Sequence, residues 1–127
     1  MSQSLPDDTL RKILHQIQQQ AVNANRNLSL TKAQLSAKER ERRMVQLTIK
    51  EISELNSADG KEVKMYRGVG KMFIQVPKAD MEGRLNNQEK ELSDEVDGLT
   101  KKSKYLEKEF NEAQGQLRDI FQSSTRR

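Results

Sequence analysis

The sequence predicts a mainly α protein: a long antiparallel coiled-coil hairpin of two helices, with one short β-hairpin at its base. Three observations predict this fold class. Apolar residues recur at steps of three and four over two long segments, and a short β-branched and aromatic segment separates them. Only 33% of the 127 residues are hydrophobic, and another 33% are charged. Because a strict coiled-coil seam needs only about two apolar residues in seven, this composition suits paired helices better than a layered globule.

The first helix is predicted over residues 7–56. It follows Pro6, and Asp7, Asp8 and Thr9 are residue types that favour a helix N-terminus. Its seam keeps one phase throughout, which predicts a left-handed coiled coil. Ten of its 14 seam positions are apolar; the positions are Leu10, Leu14, Ile17, Ala21, Ala24, Leu28, Thr31, Leu35, Lys38, Arg42, Val45, Ile49, Ile52 and Asn56.

The middle segment, residues 62–76, predicts a β-hairpin. Two runs rich in β-branched, aromatic and methionine residues, 62–67 and 71–77, flank a turn of Gly68, Val69 and Gly70. Both faces of this hairpin are partly apolar. A lone two-stranded hairpin is marginal in water, and its open edges invite pairing with other chains. We therefore expect an oligomer whose subunits join through their hairpins.

The second helix is predicted over residues 79–122, so that residues 1–127 form a single domain. Near-equal helix lengths favour an antiparallel hairpin with both chain termini at one tip. The alternative is a parallel homodimer in which each helix pairs with the same helix of a second copy. Gly83, Gly98 and Gly115 mark weak points or close approaches in this helix. Nine of its 12 seam positions are apolar; the positions are Leu85, Glu89, Leu92, Val96, Leu99, Ser103, Leu106, Phe110, Ala113, Leu117, Ile120 and Ser124.

Charge patterning suggests a register for the two helices. If Asn56 at the end of the first helix faces Asp80 at the start of the second, the numbers of any two facing residues add up to about 136. Lys38 then faces Gly98, and Arg42 faces Asp94. The basic run 38–43 then lies opposite the acidic run 93–97, and such pairs help to set register and orientation. The alternative is that both runs are simply solvated helix faces.

Composition excludes most chemical functions. The chain has no cysteine and a single histidine, His15, so neither cysteine catalysis nor a histidine or cysteine metal site is expected. Gly68–Gly70 lacks the third glycine of a phosphate loop. We expect no enzyme activity, no metal and no cofactor.

Nucleic acid and membrane partners are not expected either. The net charge is only +4, and the basic run 38–43 contains two acids, unlike the long cationic face of a basic-region helix. No run approaches the roughly 18 apolar residues of a membrane span. The N-terminus lacks the basic start and apolar core of a secretion signal. A cytoplasmic protein is therefore expected.

Two motifs resemble a known family. Residues 65–74, MYRGVGKMFI, and residues 101–107, KKSKYLE, are similar to the β-class subunits of prefoldin, and the resemblance extends from about Asp7 to Phe121. It implies a heterohexamer of two α-class and four β-class subunits, so the partners would be two α-class and three further β-class subunits. It also implies capture of unfolded clients such as actin and tubulin, and their delivery to the cytosolic chaperonin without nucleotide.

Two sets of candidate site residues follow. The subunit assembly site would use edge pairing and apolar burial; its residues are Val63, Met65, Tyr66, Gly68, Val69, Gly70, Met72, Phe73, Ile74 and Val76. The client-binding tip would combine apolar helix ends with a neighbouring uncharged Gln and Asn face; its residues are Leu10, Ile13, Leu14, Ile17, Leu117, Ile120 and Phe121. The tip residues could instead simply complete the seam.

One function of another class competes with the chaperone hypothesis. A coiled-coil scaffold or tether without chaperone activity would also have two heptad-spaced helices. The β-hairpin distinguishes the two functions, because a plain tether needs no apolar sheet edge.

Overall fold

The computed structural model describes residues 7–55 and 63–125, with side chains as far as residue 123. Two long helices flank a β-hairpin, so the predicted fold class is confirmed. The order is α1 (Asp7–Glu54), β1 (Met65–Val69), β2 (Met72–Val76) and α2 (Lys78–Thr125).

The boundaries of the elements differ slightly from those expected. Leu55 already lies outside α1, and the expected end at Asn56 and the expected hairpin start at Glu62 lie outside the described residues. The second helix begins one residue earlier than predicted and extends three residues further.

Local chemistry accounts for the helix ends. Asp7 and Asp8 occupy the first turn of α1, and Asp80 occupies the first turn of α2, where carboxylates interact favourably with the positive end of the helix dipole. At the end of α1 the Leu55 amide donates to the Ile52 carbonyl at 3.2 Å. This i to i+3 bond tightens the last turn and satisfies one terminal carbonyl.

The described residues form two compact units. The first, called here the terminal unit, contains residues 7–35 and 98–125. Every buried side chain in it occupies a predicted seam position, including two small polar ones. The buried residues are Ala21, Ala24, Leu28, Thr31, Ser103, Leu106 and Ala113. The heptad pattern therefore identified the core of this unit.

The second unit, called here the central unit, contains residues 36–55 and 63–97. Its buried helical residues are Val45, Leu92 and Val96, again at seam positions, and Met65 of β1 is buried as well. The helices run antiparallel here, because Lys38 contacts Glu95 whereas the later Arg42 contacts the earlier Glu89.

This register differs in part from the expected one. Lys38 pairs within the acidic run, as expected, but Arg42 pairs with Glu89 rather than Asp94. Glu89 is itself a seam position and is half-buried. Its carboxylate can therefore be reached by the Arg42 side chain at the seam, while Asp94 is exposed.

The two strands pair antiparallel through a tight turn. Met65 lies opposite Val76, and Val69 lies opposite Met72, so Gly70 and Lys71 form a two-residue loop. Gly70 has φ of 62°, and no other described residue has a positive φ. A positive φ at only the first central residue is typical of a type II′ turn, which matches the twist of the strands.

The turn therefore lies later than the sequence predicted. Gly68 and Val69 belong to β1 rather than to the turn. The mistake arose because three residues with two glycines look like a loop, whereas only Gly70 needs the left-handed conformation.

Candidate functional site

The β-hairpin presents one face that is only half covered by its own chain. The pairing register places Met65, Val69, Met72, Ile74 and Val76 on this face together with Arg67. Met65 is buried, and the half-buried Val76 lies beside Asp80 and Met81 of the first turn of α2. At the turn end, Val69, Met72 and Ile74 remain 46%, 66% and 48% exposed. Apolar surface is thus concentrated where the hairpin leaves its own helices.

The opposite face of the hairpin carries Tyr66 and Phe73. Phe73 is 78% exposed, and Tyr66 is 55% exposed. The Phe73 ring lies across the strand pair from Gly68, since a methyl group placed on Gly68 would be 3.7 Å from Phe73 Cε1. An aromatic ring over a cross-strand glycine replaces part of the packing that the glycine cannot provide.

The predicted assembly residues therefore separate into two groups. Met65, Val63 and Val76 are buried or half-buried within this chain, so they offer little surface to a partner. The others are exposed, and they form what we call the hairpin surface: Tyr66, Gly68, Val69, Gly70, Met72, Phe73 and Ile74. In the described residues each strand pairs with one neighbour only. The outer edge of each strand therefore has free backbone N–H and C=O groups next to this apolar surface.

The terminal unit contains an open groove of about 510 Å³. Apolar side chains of both helices line it, among them Val22, Phe110 and Leu117. The remaining lining residues are Ala21, the amides Gln18, Gln19, Asn25 and Gln114, and His15. The lining contains no Asp, Glu, Lys or Arg side chain. We call this feature the amide groove.

The predicted tip residues only partly coincide with this groove. Leu117 lines it, and Phe121 is 53% exposed. The others are half-buried: Leu10, Ile13, Leu14, Ile17 and Ile120. Sequence reasoning missed Val22, which is 53% exposed and lies off the seam. The sequence feature that could have indicated Val22 is the run of uncharged Gln and Asn residues around it, several of which line the same groove.

A polar cluster joins the helices of the central unit. Lys38 Nζ lies 2.9 Å from Glu95 Oε2, and Arg42 Nε donates to Glu89 Oε1 at 3.1 Å. The hydrogen bond and charge of Glu95 raise the pKa of Lys38 above its usual 10.5. Because these contacts flank the seam rather than enclose a cavity, their role is to orient the helices.

Neither a metal-binding cluster nor a membrane-spanning helix occurs in the described part of the chain. Residues 7–55 and 63–125 contain no cluster of three His, Cys, Asp or Glu side chains arranged to hold a metal ion. No helix there combines the length and the apolar character needed to cross a bilayer.

The fold matches one class of proteins. The structure superimposes on the crystal structure of the prefoldin beta subunit from Thermococcus strain KS-1 with a TM-score of 0.77. The match covers 94% of this chain and 96% of that one at 18% sequence identity. Heptad-spaced helices joined by an exposed apolar hairpin therefore define a prefoldin-type fold.

Sequence comparison agrees with the fold. The family model for prefoldin subunits matches residues 15–124. The chain is 29% identical over 96 residues to the probable prefoldin subunit 1 of Dictyostelium discoideum, which covers 76% of this chain and 80% of that protein. It is 28% identical over 114 residues to the probable prefoldin subunit 1 of Schizosaccharomyces pombe, with 90% and 98% covered. The chain belongs to the prefoldin subunit family and is a chaperone subunit, as the motifs implied, and its family partners are other prefoldin subunits.

Proposed function

We propose that this chain is a β-class subunit of a cytoplasmic heterohexamer that holds unfolded polypeptides without nucleotide. The assembly would contain two α-class and three further β-class subunits. By family resemblance its clients include actin and tubulin, and it passes them to the cytosolic chaperonin. It performs no chemical step of its own. The observation that carries this proposal is the exposed hairpin surface, because a tether without assembly partners has no use for it.

Assembly follows from the energetics of the hairpin surface. Burying one large apolar side chain is worth about 1.5–3 kcal/mol, and several such side chains lie next to unpaired strand edges. A neighbouring hairpin can supply both the missing backbone hydrogen bonds and the apolar cover. We therefore assign subunit contacts to Tyr66, Val69, Met72, Phe73 and Ile74.

Client binding is assigned to the terminal unit. The amide groove offers apolar contacts to exposed hydrophobic segments, and its amides can donate or accept hydrogen bonds. Because its lining carries no Asp, Glu, Lys or Arg, it imposes little charge selectivity. The neighbouring tip residues, Leu10, Ile13 and Phe121 among them, extend this surface. Weak contacts suffice, since several subunits engage one client at once.

The first experiment is co-expression with the other prefoldin subunits, followed by native mass spectrometry. A complex of six related subunits containing this chain is expected, and an isolated homodimer would contradict the assembly proposal. The purified complex should then suppress aggregation of denatured actin without ATP. A complex that assembles but leaves actin aggregation unchanged would instead support the tether.

A triple substitution tests the tip separately from assembly. Changing Leu10, Ile13 and Phe121 to serine should weaken the suppression of actin aggregation while the complex keeps its subunit composition. Full suppression by this variant would remove the tip from the client site.

A further inference from the structure

An exposed stripe on α1 of the central unit lies away from the seam. Its members follow one another at steps of three and four: Ala37, Arg40, Met44, Leu47 and Glu51. All five are exposed, with Met44 at 64% and Leu47 at 59%. The neighbouring Val45 is buried against the seam, and successive helix residues point about 100° apart. The stripe is therefore a second heptad-spaced surface, here called the outer stripe.

The spacing of the outer stripe indicates what can cover it. Side chains at steps of three and four complement another helix, whose own stripe packs along them. Helix stripes with this spacing pack against sheets as well, so the choice of a helix as the occupant rests on the order of the charges in the stripe.

The outer stripe is complementary to a second copy of itself that runs in the opposite direction. When two copies run antiparallel with Met44 of one facing Leu47 of the other, Arg40 of each copy faces Glu51 of its partner. The steps from Arg40 to Met44, Leu47 and Glu51 are four, three and four, which read the same in both directions. A two-fold axis therefore creates two apolar contacts and two opposite-charge contacts at once.

Both charged members of the stripe are available for such a contact. Arg40 and Glu51 form no ion pair with any residue in the described ranges, whereas Lys38 and Arg42 do. A lone arginine and a lone glutamate in an otherwise apolar stripe select a partner with the opposite charges in the opposite order. The chain's own stripe has that order.

We propose that the outer stripe binds the outer stripe of a second copy of this chain, antiparallel about a two-fold axis. The contact uses α1 and leaves the strands of the hairpin surface unoccupied. It therefore goes beyond assembly of one complex and lets two complexes associate through this subunit. Because the contact area is small and its charges are at the surface, the association is weak and declines with added salt.

Charge reversal gives a selective test. In Arg40→Glu both symmetric contacts become Glu against Glu, and in Glu51→Arg both become Arg against Arg. Mixing the two variants restores opposite charges at both contacts. Neither residue has an ion pair within the described part of the chain, so each variant should fold, as circular dichroism can verify.

The measurement is sedimentation equilibrium, at low and high salt, of the complex assembled by co-expression with the other prefoldin subunits and carrying each variant of this chain. The hairpin surface is unchanged in every sample, so any association through it contributes equally. Each single variant should associate on the order of tenfold more weakly than the wild type. The equimolar mixture, and the Arg40→Glu, Glu51→Arg double variant, should recover wild-type association.

A matched control carries the same charge change elsewhere. Lys104→Glu alters an exposed residue of α2 in the terminal unit and should leave association unchanged. If the single variants, their mixture and the wild type associate equally, the proposal is overturned, and the outer stripe would then belong to a helix of another protein. Equal weakening by Lys104→Glu would also overturn it, since net charge alone would explain the effect.

Discussion

Arg42 Nε lies 3.1 Å from Glu89 Oε1, and this contact joins the two helices of the central unit. Gln46 Nε2 donates to the same oxygen at 3.1 Å. The hydrogen bond from Arg42, followed by that from Gln46, lowers the pKa of Glu89 below its usual 4.5. The folded state therefore favours the ionised carboxylate. Its contribution to stability is present above pH 4.5 and disappears as the pH falls through the lowered pKa.

The first prediction concerns acid stability. Glu89→Gln should lower the melting temperature at about pH 7, and the difference from the wild type should shrink as the pH falls below 4.5 and through the lowered pKa of Glu89. Thermal melts followed by circular dichroism measure this difference. Glu91→Gln is the control, because Glu91 is an exposed neighbour with no ion pair in the described residues. A difference independent of pH would contradict the assignment.

A second prediction uses the register of the central unit. Changing Glu89 and Glu95 to lysine should lower the melting temperature more than changing Asp94 and Asp97 to lysine. Both variants alter net charge equally, but only the first places cations against Arg42 and Lys38. Differential scanning calorimetry at low salt gives the comparison. Equal losses would mean that the observed pairs do not contribute specifically.

The third prediction separates the two hairpin glycines. Gly70→Ala forces a side chain into the left-handed region, at about 1–2 kcal/mol, because φ is 62° there. Gly68→Ala places a methyl group in ordinary contact with Phe73 Cε1 at 3.7 Å and should be neutral or slightly stabilising. Urea unfolding of the two variants measures both effects. A Gly70→Ala variant as stable as the wild type would contradict the turn geometry.

The fourth prediction concerns assembly. The double variant Met72→Ser and Phe73→Ser removes two large exposed side chains from the hairpin surface. With about 1.5–3 kcal/mol lost per side chain, recovery of this chain with co-expressed prefoldin subunits should fall at least tenfold. Tyr105→Ser is the control, since Tyr105 is 67% exposed on α2 of the terminal unit. Undiminished recovery of the double variant would remove these side chains from the interface.

A fifth prediction locates client contacts. Val22→Ser should weaken suppression of actin aggregation, because Val22 lines the amide groove. Leu30→Ser should have little effect, although Leu30 is similarly exposed on α1, at 59% against 53%. Light scattering during dilution of denatured actin measures both, with subunit composition checked by native mass spectrometry. Identical behaviour of the two variants would contradict a role for the groove.

The helical seams were predictable because heptad spacing depends only on local geometry. Leu28, Leu92 and Leu106 were placed at the seam from spacing alone, and each is buried. The same spacing also placed the polar residues Thr31 and Ser103 at the seam, and both are buried. Their position in the heptad repeat predicts their burial better than their polarity does.

Contacts that depend on side-chain reach were less predictable. Counting facing positions assigned Arg42 to Asp94, but a long guanidinium side chain bonds an acceptor more than a turn away from the facing position. Likewise, spacing could not show that Val22 lies in a groove, because the groove depends on how Phe110 and Leu117 of the other helix are placed. The sequence also could not show which of the two hairpin glycines lies in the turn, because that depends on the backbone angle φ, which is positive only at Gly70 among the described residues.

The open strand pair has a consequence for how this chain is produced. A copy without partner subunits exposes Met72 and Phe73 beside strand edges that pair with no further strand in the described residues. Exposed apolar side chains at a free strand edge promote aggregation. Under the proposed assembly, we expect each newly synthesised copy to be captured by partner subunits or degraded. The steady-state amount of this chain should follow the supply of its scarcest partner rather than its own rate of synthesis.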